Sequence, residues 1–422
     1  MTAAARVAPG DPRRRRWVAA IPAVALLAVA SYWPATHARN ALHLRAAQAA
    51  ERRLDFPRAE AEVGHCLRAW PDDAEVRLLA VRVGWRSRLR GPFPSGWDWP
   101  LRDHLRAAGR EPGWMDRVAT ETAVLDLLTG DARGPAAGLA ARAGRGDADS
   151  VPLLEALARA RLDAHQLPEA LDYADAILHL EPGHALAHFW RGLAQELMGR
   201  WLGEADADYR RAADLEPANF AFRLQLASYL ALRKENLAEA RGRLEGLRAE
   251  RPDSLDVLRP LGTVLLDLGD FAAARPVIDA LVAARPRDGE ALALLGQLEL
   301  AADRPADAER LLAAAAAATP GSYAAHFQHS VCLDRLGRAA EAKAASGRAE
   351  RVREDRLAIS RLYSRVKEAG DDPRPRYELG VRHVRVGDVL IGRAWLKSVL
   401  DIDPAFEPAR QALAESGAPP AP

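Results

Sequence analysis

An alanine stands twelve residues before a proline again and again in this chain: Ala170 before Pro182, Ala205 before Pro217, Ala240 before Pro252, Ala274 before Pro286, Ala308 before Pro320, and, far upstream, Ala59 before Pro71. From Ala170 the alanines advance by 35, 35, 34 and 34 residues, and Ala342 follows after another 34. A fixed period of this length limits the fold severely. One period is too short to bury a core of its own, so successive periods must stack. Two antiparallel helices and two tight turns fill such a period. The helices can cross closely only where both carry small residues. The eighth position of the period supplies Ala158, Gly192, Gly262, Gly296, Ser330 and Gly380, and the twentieth supplies the alanines. Gly199, Gly269, Gly337 and Gly387 fall where the chain must turn between the helices. Pro168 and Pro305 fall at the start of a second helix, where a missing N–H costs little. The closing proline cannot extend the helix before it, and so ends one period and begins the next.

Composition agrees with an all-α fold. Ala, Leu and Arg, all strong helix formers, dominate the 422 residues, and runs of Val, Ile and Thr that would support strands are nearly absent. The net charge of +1 provides no bulk attraction to nucleic acid. Cys66 and Cys332 lie far apart and form no CxxC spacing, which argues against a disulfide staple or a zinc site and for two buried, small apolar residues.

Leu261-Gly262, Gly269-Asp270, Ala274 and Pro286, with their equivalents in neighbouring periods, resemble the tetratricopeptide repeat family. The resemblance is strong over 151–354. It extends to 40–73 through Ala47, Ala59, Cys66 and Pro71, and to 373–406 through Leu379-Gly380, Gly387-Asp388 and Pro404. It implies a right-handed α-solenoid whose first helices line a concave face, mainly through positions 2, 5, 9 and 12. By that register the candidate partner-binding residues are Glu155 and Arg159, Phe189 and Leu193, Arg259 and Thr263, Gln297, Phe327 and Val331, and Tyr377 and Val381. Aromatic residues mixed with arginine are what binding hot spots favour. The Lys and Asn with which some members clamp a terminal carboxylate are missing from positions 5 and 9.

The organisation expected along the chain is a basic cytoplasmic tail (1–16), a transmembrane anchor (17–34), one repeat (38–73), and degenerate repeats (74–150) with a loop insertion at 91–100. Six tandem repeats (151–354), an extended helix (355–372), a C-terminal repeat and cap (373–415) and a disordered tail (416–422) follow. Pro276 falls about two turns into a helix, where a kink is expected. At the N-terminus, Arg13–Arg16 precede an uncharged stretch from Trp17 to Trp33. Seventeen residues are at the lower limit for a membrane-spanning helix, and Pro34, Ala35 and Thr36 could lengthen it. The arginines favour a cytoplasmic N-terminus, and Trp17, Tyr32 and Trp33 suit the two interfaces. A cleaved signal peptide, cut near Ala28-Val29-Ala30, fits the same segment. Either fate sends the repeats to the outer side of the membrane.

Chemical motifs are sparse. His184 and His188 have helical i,i+4 spacing, with His179 nearby, but lack an HExxH glutamate; His326 and His329 are spaced less favourably still. Arg145-Gly146-Asp147 reads as a helix end followed by a helix start, and there is no GxxxxGK[ST] or GxSxG. The sequence therefore predicts a non-enzymatic scaffold with no cofactor and no metal, which binds a protein or peptide partner in its groove. A self-associating solenoid of the envelope is one alternative. An enzyme using 91–118, where Trp97, Asp98, Trp99, Asp103, His104 and Glu111 cluster, is another.

Overall fold

The computed structural model describes residues 37–91, 93–130, 135–199 and 202–417. The basic tail, the 17–34 segment and the last five residues lie outside this range. Among the described residues there is no strand, and no helix is long and apolar enough to cross a membrane. The chain divides into two compact units, 1–129 and 130–422.

The first unit begins with helix α1 (37–52) and α2 (Phe56–Ala69), followed by α3 (Ala74–Arg86), α4 (Trp99–Ala108) and α5 (Met115–Leu128). Ala47, Ala50, Ala59, Val63, Leu79, Ala80 and Val83 form a core of mostly small side chains, which lets α1, α2 and α3 approach closely. Polar groups are buried beside it in matched sets. Glu121 on α5 receives Arg82 at 2.7 Å and the Trp85 indole N–H at 2.8 Å, and Arg86 pairs with Glu51. A buried carboxylate is tolerated only when donors satisfy it in this way. The proline-rich insertion is shorter as a loop than the sequence suggests. Helix α4 starts at Trp99, with Pro100 in the first turn where its missing N–H leaves nothing unsatisfied, and Phe93 stacks on Trp97 at 4.5 Å.

The second unit opens with α6 (Pro135–Ala143) and continues as helix pairs: α7 (Ser150–Asp163) with α8 (Leu167–Leu180), α9 (Ala185–Leu197) with α10 (Leu202–Leu215), α11 (Phe220–Arg233) with α12 (Leu237–Glu250), and α13 (Leu255–Asp267) with α14 (Phe271–Ala284). Next come α15 (Gly289–Ala301) with α16 (Pro305–Ala318), α17 (Tyr323–Arg335) with α18 (Ala339–Ala369), α19 (Pro373–Arg385) with α20 (Val389–Ile402), and a closing helix α21 (Glu407–Glu415). The marked alanines Ala170, Ala205, Ala240, Ala274 and Ala308 are all buried at the crossings. Opposite them a Cβ on Gly296 would stand 2.6 Å from Leu312 Cγ, and one on Gly380 would stand 3.0 Å from the Gly392 carbonyl oxygen. Asn236, Asp270 and Ser322 start helices with side chains that accept a backbone N–H. Gly199, Gly269, Gly337 and Gly387 take positive φ in the turns within pairs, and where glycine is missing Lys234 (φ 56°) and Asp303 (φ 58°) adopt the same conformation.

Two prolines lie inside helices, Pro260 in α13 and Pro276 in α14. Helix α14 continues through Pro276, whose ring lies on the exposed side. Helix α18 has 31 residues, about 46 Å at 1.5 Å per residue, roughly twice the length of its counterparts. Its first half completes the pair with α17. Ile359, Leu362, Tyr363 and Val366 in its second half recur at helical spacing and are buried.

Candidate interaction surface

The first helices of successive pairs pack directly on one another: α7 on α9, α11 on α13, α13 on α15 and α15 on α17. The second helices instead meet the first helix of their own pair and that of the next. Elements that contact each other across every second position are the more closely spaced layer, and in a curved stack that layer is the inner one. The candidate residues at positions 5 and 9 lie on these first helices, except Tyr377 and Val381, which lie on α19.

The structure separates them. Glu155 is 1% exposed and is engaged inside the fold, so it is not available to a partner. Its carboxylate lies 2.9 Å from His184 Nε2. His184 Nδ1 accepts the Ala187 N–H at 3.1 Å, so Nε2 carries the proton and donates to Glu155. His184 is thereby the N-cap of α9, and Glu155 orients the ring that makes the cap. Arg159 pairs with Asp163 one helical turn on, at 2.9 Å. Arg259 reaches into the next pair, 3.0 Å from Asp288 and 2.7 Å from Glu290, and Thr263 donates to the Arg259 carbonyl at 3.2 Å. Tyr377 leans on Phe406 with ring centres 5.4 Å apart, within the cluster that seals the last pair. Leu193, Gln297, Val331 and Val381 are half-buried.

Two aromatic features remain open. Phe327 is 42% exposed and stacks on Tyr323, itself 40% exposed, with ring centres 5.7 Å apart. Two large apolar rings side by side and half in water form the most prominent aromatic step on the first helices. Phe189 is half-buried, stacked on Phe222 at 4.8 Å and tilted against Tyr209 at 6.0 Å. Tyr323 was not selected by register, because it stands at position 1; its spacing of four from Phe327 was the available signal.

A polar network follows the Phe189 cluster. Tyr209 donates to Glu196 at 2.5 Å, and Gln225 donates to the same oxygen at 2.8 Å. Burial raises the Glu196 carboxyl above its ordinary range, against the two hydrogen bonds that favour its ionised form. Asp208 shows the opposite balance. Burial would raise it, but hydrogen bonds from His188 and Arg191 prevail and hold it below its ordinary value.

The histidines considered as metal ligands have other partners. His188 lies 2.7 Å from Asp208 and 3.0 Å from the Pro182 carbonyl, and His326 lies 3.0 Å from the Pro320 carbonyl. His188 and His326 thus make one recurring contact: an imidazole at position 4 against the carbonyl of the closing proline six residues earlier. Among the described residues no cluster of His, Cys, Asp and Glu could hold a metal ion. Both cysteines are buried thiols whose pKa burial raises, and Cys332 donates to the Pro305 carbonyl.

In the 91–118 region a shallow groove of about 570 Å³ runs between Trp99, Arg102, Leu105, Arg106, Val118 and Thr122. Its carboxylates are held by arginines, Asp98 by Arg102 at 2.6 Å and Asp103 by Arg106, and His104 faces Arg77. Burial and the Arg77 charge both lower the His104 pKa. No nucleophile and base are brought together by these contacts.

Paired helices stacked with small-residue crossings and a tight inner layer define an α-solenoid. The sequence profile of the tetratricopeptide repeat family matches residues 155–221, 226–289 and 259–323, a stretch that runs over the helix pairs from α7–α8 to α15–α16. Among solved structures, a tetratricopeptide repeat protein from Parabacteroides merdae is similar at 16% identity and a TM-score of 0.39, over 64% of this chain and all of its own. PilW, described as a type IV pilus biogenesis factor, is similar at 17% identity and a TM-score of 0.40, over 48% of this chain and 92% of its own. MamA is similar at 19% identity and a TM-score of 0.31, over 40% and 97%. No curated protein sequence matches the chain. The likeness to tetratricopeptide repeats rests on the family profile and on the helix pairing.

Proposed function

We propose that this protein is a non-enzymatic scaffold, anchored in the membrane by residues 17–34, whose repeats bind a segment of a partner protein on the layer of first helices. The observation that carries the reading is the Tyr323–Phe327 pair, stacked and half-exposed on that layer. An apolar side chain of the partner laid on the two rings would remove from water surface that the fold leaves uncovered. Phe189 and Gln297 lie on the same layer, and Arg259 presents a guanidinium already oriented by two carboxylates. The anchor reading is supported by the four arginines ahead of the uncharged stretch from Trp17 to Trp33, which favour a cytoplasmic N-terminus with the repeats outside.

The test is a crosslinked pull-down from native membranes with the full chain, set against a chain carrying Arg259→Glu and Phe327→Asp. A protein recovered with the first and lost with the second supports the reading. Equal recovery with both removes the inner layer as the binding surface. Recovery of only the bait itself points instead to a self-associating solenoid.

A further inference from the structure

The second half of α18 does more than lengthen a helix. It brings the last pair to the first pair of the second unit. Helix α18 packs against α8. Lys367 Nζ lies 2.6 Å from Asp172, and Arg376 on α19 lies 3.0 Å from Glu169, so two cations near the end of the array meet two anions near its start, about 200 residues earlier. Ser360 lies against Gly199 at the end of α9, 3.4 Å from where a Cβ would stand. The last pair is also held against the loop before α17. A Cβ on Gly321, just before α17, would fall 1.6 Å from the Val386 carbonyl oxygen, and Gly387 lies against Pro320.

We infer that α18 and α19 form a latch that joins the last pair of the array to its first pair and opens reversibly, so that the array has a closed and an open state. The pair-to-pair seams carry ion pairs too, Arg241 with Asp270 and Arg259 with Asp288, but there they overlie an apolar core. The core running from Ala205 to Leu298 is a continuous set of buried apolar side chains. The cluster around Leu396, Val399 and Ala409 is built within 377–413. Across the latch the identified polar contacts are ion pairs. Lys367 and Asp172 are about half exposed, and such pairs are weak and screened by salt. The deeper pair is incompletely matched. Arg376, stacked over Trp395 at 5.6 Å, makes one bond to Glu169 where a fork could make two, and Arg376 Nε and Glu169 Oε2 are buried without a partner. A seam with orphaned donor and acceptor is poorly suited to permanent closure.

The test is a distance measurement by pulsed electron paramagnetic resonance on the full chain, with nitroxides at Leu180→Cys and Glu368→Cys, both exposed; buried Cys66 and Cys332 stay unlabelled. At low salt a single short distance is expected. Raising the salt to about 1 M, or introducing Asp172→Lys, should add a population of longer distances. Combining Asp172→Lys with Lys367→Glu should restore the short distance. A distribution that ignores both salt and charge reversal overturns the latch, as does a combined variant that fails to recover. The readout needs no partner, so it distinguishes failure of the latch from failure of the binding proposal on which its functional meaning rests.

Discussion

At the scale of single residues, the array depends on atoms that are absent. Gly380 faces Gly392 so closely that each would direct a Cβ at the other's carbonyl oxygen, at 3.0 and 2.6 Å. Gly380→Ala should therefore lower stability by about 1–3 kcal/mol, read by urea unfolding, because backbone cannot move aside. Gly262→Ala should cost less, since its nearest neighbour is the Ile278 side chain at 3.3 Å and alanine is the better helix former. Asp208 gives a prediction with a definite pH sign. Its carboxyl titrates below the ordinary 3.8, so it favours the folded state above about pH 4 and that support is lost as pH falls through the lowered native value. The stability of the native chain, read by thermal unfolding, should fall more steeply with pH below about 4 than that of Asp208→Asn. At pH 7 the variant should be less stable by about 2–4 kcal/mol, because Arg191 and His188 lose a buried partner. The Glu155–His184 pair shows what register alone misses. Register makes position 5 of this repeat a surface position, whereas the histidine that caps the following helix draws it inside. A buried cap needing an anion 29 residues earlier has no local signature.

At the scale of helices, Pro276 removes the hydrogen bond that residue 276 would donate to the Ala272 carbonyl. Pro276→Ala should raise stability by up to about 3 kcal/mol, measured by urea unfolding, since the exposed ring makes no buried contact that alanine would lose. Phe327→Ala belongs to this scale as well. It should lower partner affinity at least about tenfold while leaving the melting temperature nearly unchanged, because the ring is exposed and supports no core. The helix pairs were legible because the restraints that set them are local: a small residue at a crossing, a glycine entering a left-handed turn, a proline that ends a helix. Lys234 and Asp303 adopt that turn without glycine, and there the alanine-to-proline spacing supplied the register that the turn residue did not. The start of α4 at Trp99 was obscured because three prolines read as loop, although proline is well placed in a first turn.

At the scale of the second unit, the return of α18 and α19 to α8 was not legible. It depends on the small rotation between successive pairs summed over the whole array, and no residue encodes that sum. Lys367, Asp172, Arg376 and Glu169 are unremarkable charges on helix surfaces until the array brings them together. The open solenoid implied by family resemblance thus carries a contact between its first and last pairs.

That contact also determines how the unit responds to load. Pulled by its ends in an optical trap, the repeat array should first yield at low force, as the ion pairs between α8 and the α18–α19 end separate with little gain in length. Longer steps should follow, each releasing one helix pair of about 34 residues, up to roughly 120 Å of extended chain. Asp172→Lys should remove the early event and leave the later steps in place. The protein would then behave as a clasped spring, compliant in two stages, with the stiffness of the first stage set by charge and that of the second by the stacked cores.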